Sequence, residues 1–205
     1  VDIPYEASVV GFVRNTAAPP VSGTIQPLLK TQVARKTNVP FSYQLEIAYT
    51  SNDPQYRTLV DIIWIVDGSG SMGSYQSALS SNASLFAQQL ASSNIDYRLG
   101  VVGFTDSAYF RGWTTSASQF ASWVSGIGTS GSGTENGLNA ILYSLNSCSF
   151  RSGALRYLII LTDEDADDRS DARTSAVISA LKGCGAVFTA VYNPSDGVPY
   201  PTIAA

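Results

Sequence analysis

Residues 61–73 read Asp61-Ile62-Ile63-Trp64-Ile65-Val66-Asp67-Gly68-Ser69-Gly70-Ser71-Met72-Gly73. The apolar run Ile62–Val66 has the composition of a strand covered on both faces, as in the interior of a parallel sheet. It ends in an acid and a loop of glycine and serine. A helical pattern follows, with Leu79, Ala83, Phe86 and Leu90 on one face of a helix predicted over Tyr75–Ser92.

Working outward, the same alternation continues. Arg98–Phe104 and Ala108–Trp113 read as strands. Phe120, Trp123, Val124 and Ile127 recur at helical spacing, as do Leu138, Ile141, Leu142 and Leu145. Leu158–Leu161 is a further buried strand. A helix over about Ser170–Lys182 is expected to stop at Gly183, and Val187–Val191 is the last clear strand. Strands alternating with helices predict an open, doubly wound, mostly parallel α/β sheet. Ligands of such sheets bind beyond the carboxyl ends of the strands. That points to the loops after Val66, after the helix ending near Ile127, and after Leu161.

Residues 1–57 differ. They carry Pro4, Pro19, Pro20, Pro27 and Pro40 and read as a small β-rich segment. Its clearest strand is Phe41–Tyr49, alternating apolar and smaller or polar residues; Ser8–Val13 and Gln32–Ala34 are weaker candidates, and Thr50–Arg57 is a turn. Residues 193–205 read as a tail without a further helix. The N-terminus lacks the basic and apolar regions of an intact signal peptide.

Composition narrows the function classes. With 44% hydrophobic residues in 205, the chain can bury one good-sized core. Its apolar runs fall well short of the roughly 20 residues that span a bilayer. A net charge of −4 argues against a nucleic-acid surface. The absence of histidine removes the commonest general base and a common zinc ligand. A surface vocabulary of Ser, Thr, Asn and Gly, with 14% charged residues, leans towards an extracellular or cell-surface setting.

The loop Asp67–Gly73 fits two patterns. Gly68-x-Gly70-x-x-Gly73 matches a dinucleotide-binding turn between strand and helix. Asp67 at the mouth of the loop would repel a pyrophosphate, however, and no acid ends the second strand where a ribose would need it. The second pattern is Asp67-x-Ser69-x-Ser71. With Gly133-Thr134 before the Leu138–Leu145 helix and Asp163 after the Leu158–Leu161 strand, it resembles the metal-ion-dependent adhesion site of von Willebrand factor A (integrin I-type) domains. The resemblance covers residues 58–192. Asn136 departs from it, standing where many members carry a second hydroxyl. The tail is shorter than the family's last helix and strand require, so either the domain is truncated there or residues 1–60 complete the sheet.

The resemblance implies one divalent metal, Mg²⁺ or else Mn²⁺ or Ca²⁺, at Asp67, Ser69, Ser71, Thr134 and Asp163. Three neutral hydroxyls and two carboxylates suit a hard cation that keeps several waters. Few direct charges leave it electrophilic, and in the family a carboxylate from the partner completes its shell. The acids Asp163–Asp168, with Asp171 nearby, read either as a solvated helix entrance or as a second cation site, with Asp165, Asp167 or Asp168 as ligands.

The implied function is a non-catalytic adhesion or protein-binding module, secreted or on a cell surface. It would bind a protein or glycan ligand presenting an acidic group; neither nucleic acid nor a membrane span is expected. An intracellular assembly component of a multiprotein complex is the alternative, and a structural domain with a vestigial metal site a third reading. Cys148 and Cys184 both fall where helices end and strands begin; the resemblance implies that these strands are neighbours, so a disulfide between them is expected, with two separate buried thiols as the alternative, and a bridge would favour export. Trp64, Trp113 and Trp123 read as core, and Arg111 as a solvated charge on an edge strand.

Overall fold

A computed structural model describes residues 7–10, 58–93, 95–131, 133–192 and 199–204; of residues 7–10 the backbone is described. The expected strands at Gln32–Ala34 and Phe41–Tyr49 and the turn at Thr50–Arg57 lie outside these residues.

Six strands form one sheet: β1 (Ala7–Val10), β2 (Thr58–Asp67), β3 (Ile95–Phe104), β4 (Ala108–Thr114), β5 (Leu155–Leu161) and β6 (Val187–Val191). Their order is β1-β6-β5-β2-β3-β4. β2 pairs parallel with β3 and β5, and β5 with β6. Both edges are antiparallel, β4 on β3 and β1 on β6. Residues 7–10 therefore add an edge strand from the N-terminal segment, the second of the two alternatives that the short tail left open.

The helices are α1 (Gly73–Ser92), α2 (Ala117–Ser125), α3 (Gly137–Ser147), α4 (Asp171–Cys184) and α5 (Tyr200–Ala204). The two-residue period of β2 distributes them. Ile62, Trp64 and Val66 face one side, where Ala83 and Leu90 of α1 and Phe120 and Val124 of α2 cover them. Ile63 and Ile65 face the other, under Leu138 and Ile141 of α3, Val177 and Leu181 of α4, and Tyr200 and Ile203 of α5. Burial on both faces is why the strand is continuously apolar. Trp64 is buried, and Trp113 and Trp123 pack partly buried against the two cores.

Several expectations need correction. α4 passes through Gly183 and ends at Cys184, because Gly185 takes the left-handed cap (φ 63°). The amides of Gly185 and Ala186 then bond Lys182 O and Leu181 O, closing the last turn in a Schellman arrangement. The tail does form a short helix, α5, and Tyr200, Ile203 and Ala204 belong to the core. Arg111 is exposed, but its guanidinium donates to Gly126 O at the end of α2 and stacks over Tyr109. The expected disulfide is absent, since both cysteines are free thiols. Cys148 is buried in the core with its thiol pushed up to about 12 by burial, whereas Cys184 is half-buried and donates to Leu181 O in its own helix.

At the amino end of β2 lies a charged cluster. Asp61 is fully buried and accepts from Arg98 (Nε 2.9 Å, guanidinium 2.8 Å) and Arg151 (backbone N 2.7 Å, Nε 2.7 Å). Arg151 reaches on to Asp96 at 2.6 Å, and Arg98 lies over the Trp113 ring at 4.2 Å. Burial alone would raise the Asp61 pKa, but hydrogen bonds from Arg98 and Arg151 outweigh it and hold the carboxyl below its ordinary 3.8.

Candidate metal centre

β2 and β5 are neighbours, and their carboxyl ends bring Asp67 and the segment Thr162-Asp163 to the same end of the sheet. Between Asp67 and α1, a single 3-10 turn, Gly70–Met72, reverses the chain. Gly68 permits this by close approach: a Cβ there would meet Ile127 Cγ2 at 3.2 Å and Thr105 Cγ2 at 3.3 Å. Gly68 N bonds Phe104 O at 2.9 Å, tying the loop to the end of β3.

Asp67 is fully buried. Its Oδ1 accepts from Ser69 N at 2.7 Å, and its Oδ2 from the Thr162 hydroxyl at 2.6 Å. Burial raises its pKa, the bonds from Thr162 and Ser69 pull the other way, and the Asp163 charge adds to the rise. Both oxygens are thus engaged with protein donors. Gln76 holds the loop from behind, donating to Asp67 O at 2.8 Å and Gly128 O at 2.9 Å.

The two serines differ. Ser69 is buried and Ser71 exposed, with their hydroxyl oxygens 3.4 Å apart. Ser71 Oγ donates to Asp163 Oδ1 at 2.9 Å, joining loops 92 residues apart in sequence. Asp67, Ser69, Ser71 and Asp163 therefore form one linked group. Thr134 arrives by a separate route. Gly131 N bonds Gly68 O at 3.1 Å, and Asn136 N bonds Thr105 O at 2.8 Å, which anchors its loop at both ends. Thr134 itself is exposed, and among the described residues its hydroxyl makes no hydrogen bond to the other four. Asn136, in place of a second hydroxyl, donates from Nδ2 to Asp106 O at 2.7 Å.

The acidic run is spent mostly on structure. Asp167 accepts from Glu135 N at 2.8 Å and returns its own amide to Glu135 O at 3.0 Å. Asp168 caps α3 through Leu138 N (3.2 Å) and Asn139 N (2.7 Å), and pairs with Arg173 at 2.9 Å. Asp165 pairs with Arg169. Among the described residues no group of three or more acids, cysteines or histidines could hold a cation. A second ion at Asp165, Asp167 or Asp168 thus gains no support.

The sequence pattern passed over three groups here: Gln76, Thr162 and Glu135. Glu135 is buried, and its pKa is raised to about 7, first by burial, then by the charges of Asp67, Asp167 and Glu164 and a hydrogen bond with Asp167. Burial alone distinguishes it from a loop acid, and burial is not visible in Gly-Thr-Glu-Asn. The end of the sheet therefore concentrates negative charge beside neutral hydroxyls. That donor set suits a hard divalent cation: Ser69, Ser71 and Thr134 would hold it directly, and Asp67 and Asp163 through their charge and hydrogen bonds.

An open α/β sheet with an Asp-x-Ser-x-Ser loop facing a Thr loop and an Asp defines the A-type class of domains. The model of the von Willebrand factor type A domain matches residues 61–204, and the chain belongs to that family. Solved structures of proximal thread matrix protein 1 from the mussel byssus share the fold. One crystal form is 16% identical with a TM-score of 0.50. Another, described as having a zinc-occupied MIDAS motif, is 17% identical with a TM-score of 0.51. Both matches cover 66% of this chain and 36% of the mussel protein, so the shared part is about a third of that protein. No curated protein matches the sequence.

Proposed function

We propose that the chain is a non-catalytic binding module that takes a carboxylate of a protein or glycan partner onto a divalent metal. Ser69, Ser71 and Thr134 hold the metal, and Asp67 and Asp163 balance its charge. The native ion is Mg²⁺, with Mn²⁺ or Ca²⁺ able to replace it. The observation that carries the reading is the link from Ser71 Oγ to Asp163 Oδ1 at 2.9 Å, with Ser69 Oγ 3.4 Å from Ser71 Oγ. Two loops far apart in sequence converge their oxygens at the edge where the fold exposes ligands. When bound, the metal supplies a Lewis-acidic position for a partner oxygen. The chain's own part is to orient the hydroxyls and to keep both Asp67 oxygens occupied by Ser69 N and Thr162.

The setting proposed is extracellular or cell-surface. The alternative is an intracellular assembly component, with which two free cysteines are consistent. Binding to an array of proteins and glycans, with Mg²⁺ and again with chelator, tests the function. Expected are partners rich in acidic groups that are lost in chelator and lost in the Ser69→Ala, Ser71→Ala double variant. A partner retained equally in chelator refutes metal-mediated binding.

A further inference from the structure

Tyr200 is the first residue of α5, and its side chain is completely buried. Its hydroxyl has no hydrogen-bond partner among the described residues. An unpaired buried hydroxyl carries a desolvation cost that a phenylalanine would avoid. Burial raises its pKa, and the charges of Asp168, Asp67, Glu135 and Asp167 raise it further. The hydroxyl therefore stays protonated, and it feels the charge of carboxylates that belong to the candidate metal centre and its neighbouring loop.

Its nearest constraint is Gly137. A Cβ on Gly137 would overlap the Tyr200 hydroxyl and lie 3.0 Å from the ring carbon that carries it. Gly137 begins α3, three residues after Thr134, and its amide bonds Glu135 O at 3.0 Å. Asp167 and Asp168 fix the same turn through the amides of Glu135, Leu138 and Asn139. These bonds tie the turn to the segment that precedes α4, while the tyrosine hydroxyl abuts it at Gly137.

We propose that Tyr200 is a positioning residue for the metal centre: its hydroxyl, pressed against Gly137, sets where the Thr134 loop stands relative to Ser69 and Ser71. The inference rests on the metal-binding reading above and adds a residue 66 positions away in sequence from Thr134.

The test is a double-variant cycle on the full chain, read by calorimetric Mn²⁺ affinity and by the electron paramagnetic resonance spectrum of bound Mn²⁺. Both are taken at a temperature where every variant is folded by circular dichroism. Gly137→Ala should weaken Mn²⁺ binding about tenfold, the usual scale for a residue that orients a metal's ligands, and should alter the spectrum. Tyr200→Phe alone should cost less. The double variant should bind more tightly than Gly137→Ala alone and move the spectrum back towards that of the wild type, because the severe overlap with the hydroxyl is gone and the ring carbon, 3.0 Å from the methyl position, has only a few tenths of an ångström to give. If Gly137→Ala does not fold, recovery of folding and Mn²⁺ binding in the double variant supports the same contact. Additive losses, or unchanged affinity in both single variants, overturn the role of Tyr200. A wild-type chain that binds no Mn²⁺ refutes instead the metal-binding reading beneath it.

Discussion

Asp61 offers the most quantitative test of the fold. Its buried carboxylate accepts four hydrogen bonds from Arg98 and Arg151. Asp61→Ala leaves both guanidinium groups facing the space that the carboxylate filled. Removing one partner of a buried ion pair costs about 3–5 kcal/mol. The arginine side chains are 21% and 25% exposed, and each keeps another acceptor, Ser149 O for Arg98 and Asp96 for Arg151. They can partly rehydrate, so the loss belongs at the lower end, about 3 kcal/mol. With a urea m-value of about 2 kcal/mol/M, the midpoint should fall by about 1.5 M. Urea titration followed by tryptophan fluorescence measures it; Asp61→Asn, which keeps the volume but turns an amide donor towards two N–H donors, is expected to lose a comparable amount. The pH dependence has a fixed sign. A carboxyl held below its ordinary 3.8 contributes stability above that pH and loses it as pH falls through the lower folded-state value. The gap between wild type and Asp61→Ala should therefore be constant near neutrality and narrow below about pH 4. A midpoint shift under about 0.5 M at pH 7, or a gap that widens in acid, would refute the cluster as a stabilising hub.

Other outcomes follow from the same geometry. Mg²⁺ or Mn²⁺ at a hundred times its dissociation constant should stabilise the fold by about 2.7 kcal/mol, or roughly 5–10 °C in Tm. Asp67→Ala should abolish that shift while the metal-free protein stays folded; a retained shift would move the metal elsewhere. Intact mass without reductant should show two alkylatable thiols, with Cys184 reacting in the native state and half-buried, and Cys148 only on unfolding. Equal native rates would contradict the burial of Cys148. Arg111→Ala should cost about 0.3–1 kcal/mol through loss of its contact with the α2 C-terminus, and a neutral result in thermal unfolding would show that contact to be idle.

The sequence by itself determined the alternation of strand and helix, because Ile62–Val66 and Leu158–Leu161 are apolar without interruption and the helices between carry their apolar residues at i, i+3, i+4 spacing. It also supplied the loop pattern at Asp67, Ser69 and Ser71 with its distant companions Thr134 and Asp163. Periodicity and local spacing are written along the chain, so they survive in one dimension. Pairing across the sheet is not. That β1 closes the edge against β6, and that Tyr200 turns back into the core, depends on contacts between residues some 180 and 60 positions apart, as in Ala7 against Val191 and Tyr200 against Gly137. That Cys148 is buried and Cys184 half-buried, both as free thiols, is likewise decided by packing around them. Tertiary structure alone decided which acids are buried. Glu135 and Asp163 both read as loop carboxylates, yet Glu135 is buried among charges whereas Asp163 stays partly exposed and accepts from Ser71. Desolvation is set by everything packed around a group, and one sequence position carries no record of it.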